Sequence, residues 1–185
     1  MNSPKPHSFV NWAKNERCIA QHYYQPQTET ELVAIIQQSQ KVRLTGTGHS
    51  WSAVCLSEDT LINLDRYNKV LQIDIPLLKV KVQAGIKLQA LIKQLHNEGL
   101  ALKNLGSICY QSLAGAISTG THGSGITHQI LGSQVEEFTL IKADGEKLTI
   151  HHLRDKELFN TALVSLGCLG VISEITLNVT PAFNL

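Results

Sequence analysis

The sequence predicts an α+β fold, because candidate strands and helices are both present but do not alternate regularly. Stretches such as "LKVKVQA" alternate apolar and polar residues with the period of a half-buried strand, and the strands look antiparallel. Other stretches repeat apolar residues at the spacing of one helix face. The missing strand–helix alternation disfavours a Rossmann sheet, and no repeat of about 20–50 residues is visible.

Length and composition narrow the classes of function. The chain has 185 residues, 43% of them hydrophobic, so it can bury a core as one domain or two small subdomains. A net charge of +1 gives no basic surface for nucleic acid. No apolar run approaches the roughly 18 residues of a membrane span, and the N-terminus lacks the apolar core of a secretory signal. The four cysteines are far apart, which predicts reduced thiols and a cytoplasmic protein.

The N-terminal part predicts a helix, then a strand that runs into a glycine-rich loop. In "TETELVAIIQQSQ", Thr28 and Glu31 predict a capping box, in which each side chain accepts an otherwise unpaired backbone N–H. One apolar stripe follows, formed by Leu32, Ile35 and Ile36. "KVRL" predicts a strand that leads into "LTGTGHSW", and "DTLINL" and "KVLQID" predict two more strands.

The C-terminal part predicts a helix, a hairpin, another helix and a last strand. After "LKVKVQA", Gly85 breaks the strand, a helix carries Leu88, Leu91, Ile92 and Leu95, and Gly99 ends it. "VEEFTLIKADGEKLTIH" predicts a hairpin with a type I′ turn at Asp144-Gly145. "DKELFNTALVSL" predicts a helix closed by Gly167. In "GVISEITLNVT", which Pro181 ends, one face carries Val171, Ser173, Ile175, Leu177 and Val179.

Two glycine-rich loops are the candidate functional features. "LTGTGHSW" is the first, and "STGTHGSG" is the second, inside a stretch from Leu105 to Gly132 that holds six of the 13 glycines. Glycines let successive backbone N–H groups face an anion, and nearby hydroxyls add donors, so two such loops can hold a pyrophosphate. Ser50, Thr119, Thr121 and Ser124 supply those hydroxyls. Neither a P-loop nor a Rossmann motif is present. The alternative is that both loops are ordinary tight turns.

Each loop also carries a histidine. His49 follows the first pair of glycines and His122 lies in the second loop. A neutral imidazole in such a loop can act as a nucleophile or carry a proton, although a lone histidine is more often an ordinary surface or core residue. A metal site shared by the two histidines is disfavoured, because no carboxylate or cysteine lies at ligand spacing, and no metal is predicted.

Read together, these motifs resemble one family. "GTGHSW", "VQAGIKLQALIKQLHNEGLALKNLGS", "LAGAISTGTHGSG", "ADGE" and "SLGCLGVI" follow one another as in the sugar-1,4-lactone oxidases, which act on L-gulono- and D-arabinono-1,4-lactone and on alditols. These flavin enzymes belong to the vanillyl-alcohol-oxidase family. The resemblance runs from Asn11 to Pro181. It implies a PCMH-type FAD-binding fold of two α/β subdomains, residues 1–66 and 67–185, with FAD between them.

The resemblance also implies which residues contact FAD. His49 falls on the histidine that the family bonds through a ring nitrogen to the 8α-carbon of the flavin. The first loop is assigned to the pyrophosphate and two later stretches to the rest of the cofactor. The implied FAD-binding residues are Leu44, Thr45, Gly46, Thr47, Gly48, His49 and Ser50, then Ser107, Ser112, Gly115, Thr119, Gly120, Thr121 and His122, and finally Gly170, Val171 and Ile172.

The function that the resemblance implies is hydride transfer from a CH–OH group of a sugar lactone or polyol to FAD, followed by reoxidation by oxygen or another acceptor. In the family, a cap domain supplies the charged catalytic residues and a His-Trp-x-Lys motif. We expect that domain to be absent here, so no catalytic residue is predicted, and a cap-domain partner or self-association is expected. Two alternatives stay open: a non-catalytic flavin-binding module that needs a partner, and a nucleotide-binding or scaffold domain without FAD.

Overall fold

The structure, a computed structural model, describes residues 6–184. Its strands are β1 His7–Val10, β2 Arg17–Ala20, β3 His22–Tyr24, β4 Val42–Thr45, β5 Thr60–Asn63, β6 Val70–Asp74, β7 Lys79–Gln83, β8 Leu100–Ala101, β9 Val135–Ile141, β10 Lys147–His151, β11 Val171–Asn178 and β12 Thr180–Pro181. Its α-helices are α1 Glu29–Gln38, α2 Leu88–Asn97, α3 Leu113–Ser118 and α4 Lys156–Leu163. Short 3₁₀ helices cover Ala53–Cys55 and Leu131–Gln134.

The N-terminal sheet has three strands in the order β3-β5-β4, and all of them are parallel. The expectation of antiparallel strands is therefore wrong for this sheet. The reason is the crossover through α1, which carries the chain back so that β4 runs in the same direction as β3. All four residues of the central strand β5 are buried, as is typical of a parallel strand covered on both faces.

Helix α1 begins close to where the sequence predicts it, and its apolar stripe is buried as expected. Thr28 Oγ1 accepts the backbone N–H of Glu31 at 3.2 Å. The reciprocal half of the capping box is wrong by one residue, because Glu31 Oε2 accepts the N–H of Gln27 at 2.8 Å and not that of Thr28. Both bonds still satisfy backbone donors at the N-terminal end of the helix, one in its first turn and one before it.

The larger sheet has five antiparallel strands in the order β10-β9-β11-β7-β6. Helix α2 packs on the core through Leu88, Leu91 and Leu95, and Gly99 after it has a φ of +70°, so the predicted helix and its C-terminal glycine are confirmed. Strand β11 ends at Asn178, and Pro181 lies in β12, which pairs with β8.

The turn of the β9–β10 hairpin differs from the prediction. A type I′ turn needs positive φ at both central residues, but only Gly145, at +85°, has it. Gly145 N donates to the carbonyl of Lys142 at 3.0 Å, so the tight turn starts one residue earlier than expected. Asp144 Oδ1 accepts the N–H of Glu146 at 2.9 Å and holds this alternative turn.

Two further expectations need correction around α3 and α4. The stretch from Leu105 to Gly132 is not all loop, because α3 lies inside it. Helix α4 ends at Leu163, before the predicted closing glycine, Gly167. The chain leaves the helix early because the N–H of Leu166 donates to the carbonyl of Ser118 at 3.2 Å, which ties this segment to the end of α3.

One hydrophobic core joins the elements of both sheets, and α1 lies where they meet. Although α1 connects strands of the first sheet, its side chains bond to the second. Glu29 Oε1 accepts the hydroxyl of Ser173 at 3.2 Å, and its Oε2 pairs with Lys147 Nζ at 2.8 Å. Gln37 Nε2 donates to the carbonyl of Asp144 at 2.8 Å. The division of the chain at residue 66 stays a prediction.

Candidate functional site

The first glycine loop follows β4 directly, at the carboxyl end of the parallel sheet, where ligands of such sheets commonly bind. Gly48 has a φ of +70°, and a Cβ there would lie 2.9 Å from Cζ of Phe9. Both the backbone conformation and the space therefore require glycine at this position. The residues of this loop, His49 among them, line a cleft.

The second wall of the cleft is α3 and the residues before it. A Cβ on Gly46 of the first loop would clash with the hydroxyl of Ser112, the residue that precedes α3. A Cβ on Gly115 would also lie only 3.0 Å from that hydroxyl. Three positions from two distant stretches thus meet at one point. The two glycine-bearing stretches therefore touch one another and both line a single cleft.

A third stretch, from Leu166 to Ile172, completes the cleft. Gly170 has a φ of +147°, and a Cβ on it would lie 2.5 Å from the carbonyl oxygen of Ile141. The enclosed part of the cleft has a volume of about 220 Å³, and its mouth is open.

The structure places most of the predicted cofactor residues on this cleft and some away from it. Those that line it are Leu44, Thr45, Gly46, Thr47, Gly48, His49, Ser50, Ser112, Gly115, Thr119, Gly170 and Ile172. Those that do not are Ser107, Gly120, Thr121, His122 and Val171.

The second histidine lies outside the cleft. His122 is exposed, and its Nδ1 lies 2.9 Å from the carbonyl oxygen of Gly123. The adjacent Thr121 accepts a hydrogen bond from Gln111 Nε2 at 3.3 Å, so it supports the wall from behind. Within residues 6–184, no group of three or more His, Cys, Asp or Glu side chains is arranged to hold a metal ion.

Sequence reasoning missed a second set of lining residues, which come from strand ends, from the 3₁₀ helix at Ala53–Cys55, from α3 and from the segment after α4. They are Arg43, Val54, Cys55, Leu64, Asp65, Ala84, Gly85, Gln111, Ala114, Ala116, Ser118, Leu166 and Gly167. The one available signal was Gly85, which ends the pattern of β7 abruptly.

Polar groups on the cleft wall are only partly satisfied within the protein. Gln111 Oε1 is buried and has no hydrogen-bond partner in the described part of the chain. Asp65 pairs with Lys87 Nζ at 2.6 Å, so this carboxylate is neutralised by its neighbour. Burial raises the pKa of the Cys55 thiol, so it is protonated at neutral pH. Thr45 Oγ1 is likewise buried without a partner in the described residues, so the wall offers two unsatisfied polar atoms, while the carboxylate of Asp65 is paired.

The sequence profile described as "FAD binding domain" matches residues 20–151, more than half of the chain. The chain belongs to the FAD binding domain family. The predicted family resemblance and the predicted cofactor, FAD, are both confirmed by this match and by the relatives described next.

Two curated relatives illustrate the similarity. Mouse L-gulonolactone oxidase is 42% identical over 181 residues, which cover 96% of this chain and 41% of the mouse protein. D-arabinono-1,4-lactone oxidase of Eremothecium gossypii is 40% identical over 185 residues, which cover 96% of this chain and 35% of the fungal protein. The chain thus spans well under half the length of these relatives.

Solved structures confirm the fold class. Cholesterol oxidase from B. sterolicum superposes with a TM-score of 0.82 over 98% of this chain and 38% of its own, at 19% identity. Alkyldihydroxyacetonephosphate synthase gives a TM-score of 0.79 over 93% of this chain and 32% of its own, at 23% identity. At these identities the likeness concerns the fold alone, and it matches the predicted α+β, PCMH-type architecture.

The residues of the cleft fit FAD. The loop with Gly46 and Gly48 lines the cleft, and the hydroxyls of Ser50 and Ser112 are donors for a pyrophosphate. The hydroxyl of Thr119 already donates to the carbonyl of Gly115 at 2.9 Å. Gln111 Oε1 is an acceptor without a hydrogen-bond donor in the described residues, and FAD carries both N–H and O–H groups that can donate to it. The buried acceptor without a partner is the observation that most directly calls for a polar ligand.

Proposed function

We propose that this chain is the FAD-binding part of an oxidoreductase that removes a hydride from a CH–OH group of a sugar lactone or polyol. The observation that carries the proposal is the single cleft formed by glycine-bearing stretches from three parts of the chain. The names of its relatives, at about 40% identity, support the substrate class. Because the chain spans only part of their length, the reaction is proposed for the complete protein.

In this proposal, FAD supplies the redox chemistry by accepting two electrons and a proton from the substrate carbon. The protein holds and orients the cofactor. Backbone N–H groups around Gly46 and Gly48, with nearby hydroxyls, bind the pyrophosphate, and Gln111 Oε1 accepts one donor of the cofactor. Backbone N–H groups can hold the anionic pyrophosphate even though the positive charge of Lys87 is already used in its ion pair with Asp65.

We further propose that His49 holds FAD covalently. His49 would hold the cofactor by a bond from a ring nitrogen to the 8α-carbon; that bond would replace one C–H and one N–H bond, and molecular oxygen would take up the two electrons released. His49 is half-buried and lines the cleft beside the first glycine loop, which supports this role.

The test of this role is His49→Ala, with His96→Ala on the exposed face of α2 as the control. Flavin absorbance is read before and after acid precipitation of each purified protein. We expect wild type and His96→Ala to keep flavin in the pellet, and His49→Ala to bind FAD but release it to the supernatant. Covalent flavin on His49→Ala would place the link on another residue.

The substrate proposal is tested with the chain alone and with the complete protein. Turnover is measured with L-gulono-1,4-lactone, D-arabinono-1,4-lactone and alditols, with oxygen or an artificial dye as the acceptor. We expect the 185-residue chain to bind FAD and to oxidise these compounds poorly, since its relatives are longer. If the complete protein binds FAD without turnover, the alternative of a non-catalytic flavin-binding module is favoured.

Partners and location are also proposed. Large side chains are exposed close to the cleft, including Trp51 and Tyr110, and they support docking of a substrate-binding cap domain or a second copy. Sedimentation of the isolated chain separates monomers from self-associated forms.

We also propose a reducing, cytoplasmic location, which is supported by four free thiols, those of Cys18, Cys55, Cys109 and Cys168. In the described residues, no helix has the length and apolar character to cross a membrane.

A further inference from the structure

The β1–β2 hairpin packs against the first glycine loop from outside the cleft. It covers residues 7–20, so it precedes the stretch that the family profile matches. Phe9 of β1 lies against Gly48, where a Cβ would approach its ring to 2.9 Å. The hairpin therefore touches the loop at the residue immediately before His49.

Three hydrogen bonds join the hairpin to the backbone on both sides of His49. Trp12 N donates to the carbonyl of Gly48 at 2.8 Å. Asn11 Nδ2 donates to the carbonyl of Ser50 at 2.9 Å. Asn15 Nδ2 donates to the carbonyl of Trp51 at 2.9 Å. The bonds bracket His49, so they fix the backbone that carries its side chain.

Asn11 is fully committed to this arrangement. Its side chain is 2% exposed. Its amide nitrogen bonds to Asn15 Oδ1 at 2.8 Å as well as to Ser50, and its Oδ1 accepts the N–H of Glu16 at 3.1 Å. Because the amide nitrogen and the amide oxygen of this buried side chain both form hydrogen bonds, Asn11 holds the hairpin turn and the loop in fixed positions.

The indole ring of Trp12 lies beside the imidazole of His49. The rings of Trp12 and His49 have centroids 5.6 Å apart and planes inclined by 33°. The tryptophan is 61% exposed, so burial alone does not explain its position. Aromatic pairs at this separation attract one another, and the contact limits the rotamers of His49.

We propose that the β1–β2 hairpin is a clamp that sets the direction of the His49 imidazole, with Asn11 and Trp12 as its positioning residues. The hairpin fixes the backbone around His49, and the indole ring restricts the side chain. The clamp rests on the proposed function in that it presents His49 to bound FAD. The arrangement itself exists without the cofactor.

The test compares Trp12→Ala and Trp12→Phe with Trp51→Ala. Trp51 is the matched control, because it is also exposed, at 70%, and directly follows the implied FAD-binding residues of the same loop, but within residues 6–184 its ring forms no aromatic pair with His49. Three readouts are taken: the NMR shift of the His49 ring protons in the apo chain, the Kd for FAD, and the rate of covalent attachment.

We expect Trp12→Ala to move the His49 ring signals, to weaken FAD binding by about 2- to 10-fold and to slow attachment about tenfold. Trp12→Phe should largely restore the ring signals, the Kd and the attachment rate, and Trp51→Ala should match wild type. If Trp12→Ala behaves like Trp51→Ala in the imidazole shift and the Kd, the clamp is overturned.

Two further variants test the hydrogen bonds that join the hairpin to the loop. Asn11→Ala removes buried hydrogen bonds and can prevent folding, so Asn15→Ala, which is exposed and breaks the bond to Trp51, is measured beside it. We expect Asn15→Ala to fold and to shift the His49 signals in the same direction, and unchanged signals would oppose the clamp. Wild type without covalent flavin would refute the covalent role of His49, while the NMR shifts would still decide on the clamp.

Discussion

Gly85→Ala is the substitution whose effect can be worked out most directly from the structure. Gly85 follows β7 and lines the cleft, where the segment from Leu64 to Tyr67 crosses it. Its N–H donates to the carbonyl of Tyr67 at 3.1 Å. The contact joins the chain segment after the parallel sheet to the antiparallel sheet, so the space beside Gly85 is set by backbone on both sides.

The size of the effect follows from that space. A Cβ on Gly85 would lie 2.5 Å from the carbonyl oxygen of Tyr67, and it would clash still more with that of Leu64. Since real Cβ atoms stay at least 3.0 Å from such atoms, the Tyr67 carbonyl must move by about 0.5 Å. Overpacking against backbone costs about 3 kcal/mol, which corresponds to a fall in Tm of about 6–12 °C for a chain of this size.

The assay is thermal and urea unfolding of the apo chain, followed by circular dichroism, together with titration of FAD. Gly99→Ala is the control, because a Cβ there meets nothing within 4 Å and the only penalty is its φ of +70°. We expect it to cost about 1 kcal/mol. We also expect Gly85→Ala to bind FAD more weakly than Gly99→Ala. If Gly85→Ala were as stable as wild type, or more stable than Gly99→Ala, the reasoning would be refuted.

Three further outcomes are expected. Gln111→Leu removes a buried acceptor without a partner in residues 6–184 and also the bond from Gln111 Nε2 to Thr121, so the two effects oppose each other and apo stability should change by less than about 1 kcal/mol while FAD affinity falls; a larger loss in urea unfolding would contradict this. Burial raises the pKa of Cys55, so iodoacetamide should alkylate it more slowly than the exposed Cys168 at pH 7, and FAD should slow it further; equal rates by mass spectrometry would contradict this. Although burial raises the pKa of Glu136, its bond to Lys79, at 2.7 Å, and the nearby charges outweigh burial and hold the pKa below its usual value. The carboxylate thus stabilises the fold above about pH 4.3, and that contribution disappears as pH falls through the lower folded pKa. Glu136→Gln should flatten the pH dependence of the unfolding free energy in that acidic range, and an unchanged slope would count against it.

The elements of this fold were largely predictable because each has a strong local signal. Helix α2 shows apolar residues at helical spacing and a glycine behind it, and both features are found in the structure. The parallel direction of β3, β4 and β5 was not predictable from their residues, since strand direction depends on the crossover and not on composition. The turn at Asp144 was also missed, because its side chain stabilises a different turn from the one its sequence favours.

The candidate site was predictable only in part. Glycines at 46 and 48 mark the first loop in the sequence. In the structure, a Cβ at either position would lie too close to a neighbouring side chain. Residues such as Cys55 and Leu64 reach the cleft through tertiary placement, and none of their neighbours in sequence was predicted to bind the cofactor. The hairpin beside His49 was missed for the same reason, because its bonds join residues about 36–39 positions apart.

Helix α1 has a consequence for how the cofactor is received. It belongs to the parallel sheet by connectivity, yet Glu29 and Gln37 fasten it to the antiparallel sheet. The parallel sheet and the antiparallel sheet are therefore fixed relative to each other before any ligand binds. A ligand that enters such a groove has little closing motion to drive, and most of its interaction energy is left for affinity. The cofactor site is therefore formed before binding, and the helix that joins its two sides also completes the hydrophobic core.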